Sequence, residues 1–351
     1  MHEQYLNKPI GRRRLIQRSA LAIVGVVALG MSSGCAGTKD AGKPLFSFVQ
    51  LTDMHLNRPG DFGGYEKTTP KVKHVIDVIN EEKNFPMPDF VILTGDTIHG
   101  GKLECLLPQC KFAKEMLSTL RCPYYTVIGN HEVVQREGDP DYQGPYEQVF
   151  GKDRVNYDFT HKGFHFVCLN NSNGHGDETG KEPIRTVTRK RNRWLAQTLQ
   201  KHPQMPKIIA CHIPMVPLRD EPVLKKSFGF STYKMIGSGT WDIIRANNKT
   251  VVAVIHGHLH LTGVVIEDGI YHISPAGTAS YPCHWAHYTV YRDRIDVRMY
   301  QVAKDLVTPA MNIHGIPRYK HGFTDSTHKT AEEYVCGTKA EQQFTIRIPK
   351  K

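Results

Sequence analysis

Five short segments rich in metal-binding side chains follow one another along the chain, and each stands directly behind an apolar run of strand length. Such runs, bounded by glycine and polar residues, are typical of buried β-strands. In open α/β sheets, ligands bind at the carboxyl ends of the strands. A chain with 19 histidines forms isolated pairs by chance, but five ordered segments predict one shared site. The runs and the segments behind them are Phe46–Leu51 with Asp53-Met54-His55, Phe90–Leu93 with Gly95-Asp96, Tyr124–Ile128 with Gly129-Asn130-His131-Glu132, Lys207–Ala210 with His212, and Val251–Ile255 with Gly257-His258-Leu259-His260.

Helix-type spacing fills the intervals between these runs. The positions of Val72, Val75, Ile76 and Ile79 predict a helix from Lys71 to about Asn84. Strands that alternate with helices indicate an α/β layered fold, and the pattern becomes hairpin-like from Leu261 to Val302. Further elements are predicted as helices near Lys111–Leu120, Arg191–Gln200 and Trp241–Ala246, and as a strand at Phe164–Leu169.

Composition divides the 351 residues into four parts. Residues 1–35 have the pattern of a signal peptide, residues 36–44 have linker composition, residues 45–302 carry the α/β pattern, and residues 303–351 form a C-terminal extension. Within that extension, Phe344–Ile348 is strand-like. The extension is therefore predicted to add an edge strand to a sheet or to form a lid.

The N-terminal part predicts export. Arg12-Arg13-Arg14 precede an apolar stretch, Leu21–Met31, which is short for a membrane span but suits a signal peptide. The arginines resemble the twin-arginine export pattern, and Ser32-Ser33-Gly34-Cys35 resembles a lipobox in which Cys35 becomes a lipidated N-terminus. Ordinary cleavage nearby and an uncleaved anchor helix are the alternatives. We expect an exported protein, periplasmic or on the cell surface, anchored to the membrane as a lipoprotein.

The charge balance bears on partners. The formal net charge is +11, part of it in the N-terminal arginines, and this suits an anionic substrate or an anionic membrane surface. The basic residues are scattered rather than interleaved with aromatic residues, and no nucleic-acid-binding motif is present in the sequence. We expect no specific nucleic-acid partner.

The chain has eight cysteines, and processing at Cys35 would leave seven, an odd number that requires an unpaired thiol in a monomer. Cys168 and Cys211 lie in or next to apolar runs and are expected to be small buried side chains. Cys105 and Cys110 flank a segment that suggests a loop. A disulfide between them and two free thiols remain equal alternatives.

The ordered series D-x-H, G-D, G-N-H-[DE], H and G-H-x-H resembles the signature of the calcineurin-like metallophosphoesterase superfamily. The resemblance covers about Phe46 to about Met299, so residues 45–302 would form the metallophosphoesterase domain. It implies a four-layer αββα sandwich that holds two divalent metal ions. Two such ions lower the pKa of a bound water and neutralise charge on phosphoryl oxygens.

The resemblance also implies a ligand set. A carboxylate has two oxygens, so Asp96 behind Gly95 is the natural bridge between two ions. Since His258 and His260 are two residues apart, an extended strand would turn both toward one site. Oxygen and nitrogen donors without a thiolate favour Mn, Fe, Zn or Co. By family correspondence, one ion would take Asp53, His55 and His260, and the other would take Asn130, His212 and His258.

The resemblance places His131 over the metals without binding them, where an imidazolium could protonate a leaving alkoxide. Glu132, the next residue, would either orient His131 or face solvent. His131 and Asp96 are therefore the predicted catalytic residues.

Departures from other branches narrow the resemblance. Asp96-Thr97-Ile98-His99 lacks the Asp-Arg pair that follows the bridging aspartate in phosphoprotein phosphatases. Purple acid phosphatases have a metal-binding tyrosine where this chain has His99, and they lack the histidine that His55 provides. What remains is similar to the bacterial cyclic-nucleotide phosphodiesterase branch. Four further substrate-contacting or supporting residues are expected, namely His99, Asn171, Tyr281 and His284.

The sequence thus predicts a metal-dependent hydrolase of phosphomonoesters or phosphodiesters of a small molecule or lipid headgroup. A non-catalytic metal-binding scaffold on the same fold is one alternative. A nuclease is the other, and it would need a basic track for several phosphates.

Overall fold

The computed structural model describes residues 42–61, 68–100, 102–136, 139–172, 184–228, 234, 239–308 and 322–349. The predicted signal peptide, the lipobox with Cys35 and most of the predicted linker lie outside these residues. Within the described residues, no helix has the length and the apolar character that a membrane-spanning segment requires.

Helices and strands alternate through the first two thirds of the chain, as the hydrophobic pattern predicts. The strands are β1 (Phe46–Leu51), β2 (Phe90–Thr94), β3 (Tyr124–Val127), β4 (Val134–Arg136), β5 (Asp139–Tyr142), β6 (Tyr157–His161), β7 (Phe164–Cys168), β8 (Lys207–Ala210), β9 (Val251–Ile255), β10 (Gly263–Glu267), β11 (Ile270–Ser274), β12 (His284–Val290), β13 (Arg294–Gln301) and β14 (Gln343–Arg347). The α-helices are α1 (Thr68–Asn80), α2 (Leu103–Leu117), α3 (Gly144–Phe150), α4 (Ile184–Gln200), α5 (Glu221–Phe228), α6 (Thr240–Arg245), α7 (Ala331–Cys336) and α8 (Lys339–Gln342).

Two six-stranded sheets carry the five predicted segments. The first sheet has the order β14-β13-β12-β1-β2-β3, and the second has the order β10-β11-β9-β8-β7-β6. Strands β1, β2 and β3 are mutually parallel, as are β7, β8 and β9. Neighbouring strands end in register, since Leu51 pairs with Leu93 and Ala210 pairs with Ile255. The loops that follow these strands therefore leave each sheet on the same side, at the carboxyl ends of the parallel strands.

Alternation along each strand divides the core into three layers of apolar contact. In β1, Phe46 and Phe48 pack between the two sheets, whereas Val49 and Leu51 pack under α1 and α2. A third cluster, which includes Leu195 of α4 and Ile244 of α6, covers the outer face of the second sheet. The order of layers is helix, sheet, sheet, helix, which confirms the expected αββα sandwich.

Helix bounds show where the sequence pattern was misleading. The second helix was expected from about Lys111, but α2 begins at Leu103 and contains Pro108. A proline normally marks a helix boundary, and for that reason residues 105–110 suggested a loop. Cys105 and Cys110 both lie in α2 as free thiols, and Cys110 packs in the core, so the proposed disulfide is wrong. Cys168 and Cys211 are buried in apolar clusters, as expected.

The segment after residue 302 belongs to the same compact unit as the rest of residues 42–351. Strand β14 pairs antiparallel with β13 at the edge of the first sheet, with Ile346 opposite Ile295. Helices α7 and α8 each begin with a capping box, from Thr330 with Glu333 and from Thr338 with Glu341. Helix α7 packs beside the loop that follows β9, through Tyr334, Val335 and Cys336.

Candidate metal centre

The loops behind the strands are joined to one another by backbone hydrogen bonds. The Asp53 amide donates to the Gly95 carbonyl at 3.1 Å, and the His55 amide donates to the Asp96 carbonyl at 2.9 Å. In the second sheet, the Gly257 amide donates to the His212 carbonyl at 3.0 Å. The His258 amide then crosses to the first sheet and donates to the Asp53 carboxylate at 3.0 Å. All five segments therefore converge on one place.

Six of the predicted ligands form two groups of three. Within each group, one donor atom per residue lies within 4.8 Å of the others. The first group is Asp53, His55 and His260, and the second group is Asp96, His212 and His258.

Distances within the groups place the imidazole Nε2 atoms close to carboxylate oxygens. His260 Nε2 lies 3.2 Å from Asp53 Oδ1 and 3.1 Å from His55 Nε2. His212 Nε2 lies 3.1 Å from Asp96 Oδ2 and 3.0 Å from Asn130 Oδ1. The structure thus brings together all seven residues that the sequence predicted as ligands.

Asp96 lies between the two groups. Its Oδ2 atom is 3.1 Å from His212 Nε2 in one group and 3.8 Å from His55 Nε2 in the other. The other oxygen, Oδ1, accepts the backbone N–H of His131 at 2.9 Å. Among the described ligands, Asp96 alone has one oxygen atom, Oδ2, that faces histidines of both groups.

Hydrogen bonds behind the histidines fix which ring nitrogen faces the centre. His212 Nδ1 lies 2.8 Å from the Thr94 carbonyl oxygen, so Nδ1 carries a proton and Nε2 is directed at Asp96. His260 Nδ1 lies 2.6 Å from the Ser280 hydroxyl. Such outer contacts orient a metal-binding imidazole and raise its basicity.

The ligand loops are conformationally strained. Asp53, His55, Asp96, His258 and His260 all have positive φ, between 45° and 76°. A left-handed backbone at a residue other than glycine costs roughly 1–2 kcal/mol, and such residues cluster at functional sites. The extended alternation expected for His258 and His260 is therefore wrong, because β9 ends at Ile255 and both histidines lie in a turn. They still meet at the centre, through the turn rather than through the pleat.

Two glycines permit the close approach of the loops. A Cβ at Gly129 would overlap the backbone nitrogen and the carboxylate of Asp96. A Cβ at Gly257 would overlap the Thr52 hydroxyl and the Asp53 carboxylate. Both positions require glycine because the neighbouring ligand occupies the space of a side chain.

Glu132 has a role that neither expectation from the sequence describes. Its side chain is buried, and its carboxylate accepts backbone N–H groups of Asp96 at 3.1 Å, Ile98 at 3.0 Å and Gly129 at 2.6 Å. Burial, together with the nearby Asp96 charge, raises the pKa of Glu132 to about 7. It ties the loop after β2 to the loop after β3, so the expectation that it faces solvent or orients His131 is wrong.

The electrostatics show how strongly Asp96 acts on its neighbours. Burial opposes ionisation of Asp96, but the charges of His212 and His131 outweigh it and hold the pKa of Asp96 well below its ordinary value. Burial likewise opposes protonation of His212, yet the Asp96 carboxylate raises the pKa of His212 to about 9. Burial and the neighbouring His131 lower the pKa of His55. A cation at this position would replace the proton on His212.

The donor set fits divalent metal ions. Two buried carboxylates, four imidazoles and one amide oxygen converge, which is the hard and intermediate set that transition-metal ions prefer. Cys211, which neighbours His212, packs among apolar side chains of the second sheet instead. Family-typical divalent ions could therefore be held by these residues.

His131 lies at the rim of the centre. Its side chain is 30% exposed, and its Nε2 lies 3.9 Å from Asp96 Oδ2. Its Nδ1 contacts the carbonyl oxygen of His99, which directs Nε2 toward the centre. The imidazole of His99 is itself buried and lies within 4.8 Å of donor atoms of His55 and His131.

The remaining candidates lie behind the centre. Asn171 is buried, and its Oδ1 accepts the backbone N–H groups of His212 and Ile213, both at 3.0 Å, so it supports the His212 loop instead of facing a substrate. His284 is buried at the start of β12, and its Nδ1 lies 2.8 Å from the Thr262 hydroxyl. Tyr281 packs at the edge of the apolar cluster around Leu259 and Leu261.

Gln50 is a supporting residue that the sequence pattern missed. Its fully buried amide donates to the Thr94 hydroxyl at 3.0 Å and to the His256 carbonyl at 2.9 Å, and it accepts from the Tyr288 hydroxyl at 2.6 Å. It therefore ties the first sheet to the start of the histidine loop. The available signal was that Gln50 is a polar residue on the face of β1 that also carries Phe46 and Phe48, and this face packs between the two sheets.

Comparisons with known proteins agree with this architecture. A family model described as calcineurin-like phosphoesterase matches residues 46–261. A dimetal phosphatase from Danio rerio is similar in structure, with a TM-score of 0.54 and 16% identity, covering 74% of this chain and 98% of that one. At that identity, the likeness concerns the fold.

Two curated proteins are similar in sequence. YvnB, an uncharacterized protein of Bacillus subtilis (strain 168), is 26% identical over 230 residues, which cover 62% of this chain and 16% of that protein. A probable cyclic nucleotide phosphodiesterase of Moraxella catarrhalis (strain BBH18) is 31% identical over 93 residues, which cover 26% of this chain and 30% of that protein. The matches span less than a third of either relative.

Proposed function

The chain belongs to the calcineurin-like phosphoesterase family, and from that premise we propose that it is a hydrolase with a dinuclear metal centre that cleaves a small-molecule or lipid-headgroup phosphoester. The observation that carries the proposal is the position of Asp96. One of its oxygens faces histidines of both three-residue groups, at 3.1 Å and 3.8 Å. A carboxylate so placed suits two cations that share one ligand.

The protein's own residues divide the work. Asp53, His55 and His260 would hold one ion, Asn130, His212 and His258 the other, and Asp96 both. Two divalent ions at this place, from among Mn, Fe, Zn and Co, would supply a nucleophile from water near neutral pH and neutralise phosphoryl charge. His131, which is partly exposed and directed toward the centre by the His99 carbonyl, would give a proton to the leaving oxygen. Glu132 and Asn171 hold the loops that carry Asp96 and His212.

The experiment that tests the proposal compares a matched monoester and diester. Metal-reconstituted protein is assayed with p-nitrophenyl phosphate and bis(p-nitrophenyl) phosphate, which share one leaving group. We expect hydrolysis of at least one, abolished by chelation and restored by a divalent ion. The preferred substrate of the pair decides between monoesterase and diesterase activity.

Other outcomes of the assay identify the alternatives. Metal binding without turnover of either ester would favour a non-catalytic scaffold. Turnover of single-stranded or duplex DNA that falls steeply with salt, with little turnover of small esters, would favour a nuclease, since contacts to several phosphates release counterions.

We further propose that the protein is exported and anchored to the membrane through a lipid on Cys35, with the substrate at or near that surface. The lipobox-like Ser32-Ser33-Gly34-Cys35 supports this proposal. Cys35→Ala should move the protein from the membrane fraction to the soluble fraction or stall its processing, because the lipid attachment site is lost. Fractionation and gel mobility of wild type and variant are the measurements, with Cys105→Ala as the matched control. A variant that fractionates and migrates like wild type would show that Cys35 is not lipidated.

A further inference from the structure

The loop that carries His258 and His260 packs against the C-terminal segment, residues 322–349. Leu259 and Leu261 alternate with the two histidines and are buried against Tyr334, Val335 and Cys336. Next along the loop, the Thr262 amide donates to the Val335 carbonyl at 3.1 Å. The C-terminal segment lies beyond the family match, which ends at residue 261. This contact therefore joins the matched region to residues beyond it.

One guanidinium joins the parts of this contact. The side chain of Arg219, in the loop after β8, is fully buried. Its Nη2 donates to the Thr262 carbonyl at 2.6 Å, and its Nε donates to the Tyr334 carbonyl at 2.9 Å. Its Nη1 lies 3.3 Å from Glu341 Oε1. A single side chain thus links the histidine loop to both C-terminal helices.

The negative partner of Arg219 is held just as tightly. Glu341 Oε1 also accepts the Val264 amide at 3.2 Å, while Oε2 accepts the Thr338 amide at 2.7 Å and lies 2.9 Å from His328 Nε2. The other nitrogen of His328 lies 2.8 Å from Asp325 Oδ1. Burial opposes ionisation of Glu341, but the hydrogen bond from His328 and the charge of Arg219 keep its pKa below the ordinary value.

The histidine loop needs such support. His258 has φ of 76° and His260 has φ of 53°, so two left-handed residues stand one residue apart. Conformations of this kind persist only where the surroundings over-determine them. The contacts of Leu259, Leu261 and Thr262 provide this constraint directly beside the two histidines.

We propose that Arg219 and Glu341, with His328 behind them, are positioning residues that hold the His258–His260 turn in its metal-binding conformation. This inference rests on the proposed dinuclear centre, because the turn supplies one ligand to each half of it. The C-terminal segment then acts as a brace for the ligands, and loosening it lowers metal affinity while every ligand remains in place.

The test uses two glutamates that both close a capping box. Glu341→Gln and Glu333→Gln each keep the cap, since glutamine also serves at that position. Only Glu341→Gln removes the negative charge beside Arg219. Of the four donor groups that face the Glu341 carboxylate, two would then face the NH2 group of the glutamine side chain. Hydrogen exchange at the Thr262 amide of the metal-free protein, and calorimetric metal titration, are the readouts.

For Glu341→Gln we expect exchange at Thr262 to accelerate about 10-fold and the weaker-bound ion to lose about 10-fold in affinity. Glu333→Gln should match wild type in both. Exchange and affinity of Glu341→Gln within twofold of wild type would overturn the proposal. Where Glu341→Gln fails to fold, His328→Gln, which leaves Arg219 paired with Glu341, is measured against the same criteria.

The two proposals fail separately. Ester assays on wild type decide whether the protein is a hydrolase, whereas exchange at Thr262 in the metal-free protein decides whether the brace holds the turn. Activity of Glu341→Gln should recover at high metal concentration, because the ligands are intact. Loss of activity that no metal concentration restores, with unchanged exchange, would contradict a positioning role.

Discussion

Asp96→Asn should abolish the proposed dinuclear centre and with it the proposed hydrolase activity. Wild type should bind close to two transition-metal ions per chain, because Asp53, His55 and His260 on one side and Asn130, His212 and His258 on the other would share Asp96. The variant keeps the size of the side chain but removes the charge between the two ions. Losing several kcal/mol of transition-state stabilisation should lower kcat/KM by on the order of 10³-fold or more. Metal analysis after dialysis and steady-state kinetics are the measurements.

A second aspartate provides the control for Asp96. Asp158, on β6 and away from the convergent loops, pairs with His165 and Lys201, so Asp158→Asn removes a partly buried ion pair without touching a ligand. It should retain full metal content and activity. An Asp96→Asn protein that still binds two ions, or a wild type that binds one at saturation, would show that Asp96 does not bridge.

His131→Gln should fail in a different way. The imidazole is 30% exposed at the rim, and its Nε2 lies 3.9 Å from Asp96, so its loss should leave metal content largely intact. Removal of a general acid should lower kcat by roughly 10²–10⁴-fold. The loss should shrink for nitrophenyl esters, whose leaving group needs little protonation, relative to alkyl esters of the same phosphate. Rates with both leaving groups, alongside metal analysis, are required.

His161→Gln is the matched control, because His161 is also partly exposed and pairs with the carboxylate of Asp89, which lies outside the site. It should leave rates unchanged. Equal losses for good and poor leaving groups in His131→Gln would assign His131 to electrostatic contact with phosphate. Loss of a metal ion from that variant would instead make His131 a ligand.

The strand ends could be predicted from sequence because two short-range signals coincide there. The apolar runs Lys207–Ala210 and Val251–Ile255 stop directly before Cys211 and His256, and β8 and β9 end at Ala210 and Ile255. Parallel pairing then brings the following side chains to one edge. That rule locates the five segments, and the resemblance to the metallophosphoesterase superfamily supplies the choice of the seven ligands within them.

Predictions that depended on the local path of the chain were weaker. A pleat was assumed for His258 and His260, whereas the chain turns after Ile255 through left-handed residues that sequence rules disfavour. The sequence predicts that Glu132 either orients His131 or faces solvent, because nothing in Gly-Asn-His-Glu indicates three amides converging on its carboxylate. Such outcomes depend on loops far apart in sequence.

The C-terminal segment shows the same limit. Its edge strand has a visible pattern at residues 344–348, but its contacts to Arg219 join residues 115 and 122 positions apart. No window of sequence contains both partners of such a bond.

Strand β1, described above as the neighbour of both β12 and β2, imposes an order on biosynthesis. Its antiparallel partner emerges from the ribosome only after most of the chain, since Gln50 bonds to Tyr288 across 238 positions and His55 meets His260 across 205. Contacts between residues so far apart in sequence are slow to form, and they cannot stabilise a chain that lacks one of the two partners. A nascent chain that ends before residue 260 lacks a ligand of the proposed metal centre, and one that ends before β14 cannot complete the first sheet. We therefore expect metal loading of the proposed centre late in translation or after it.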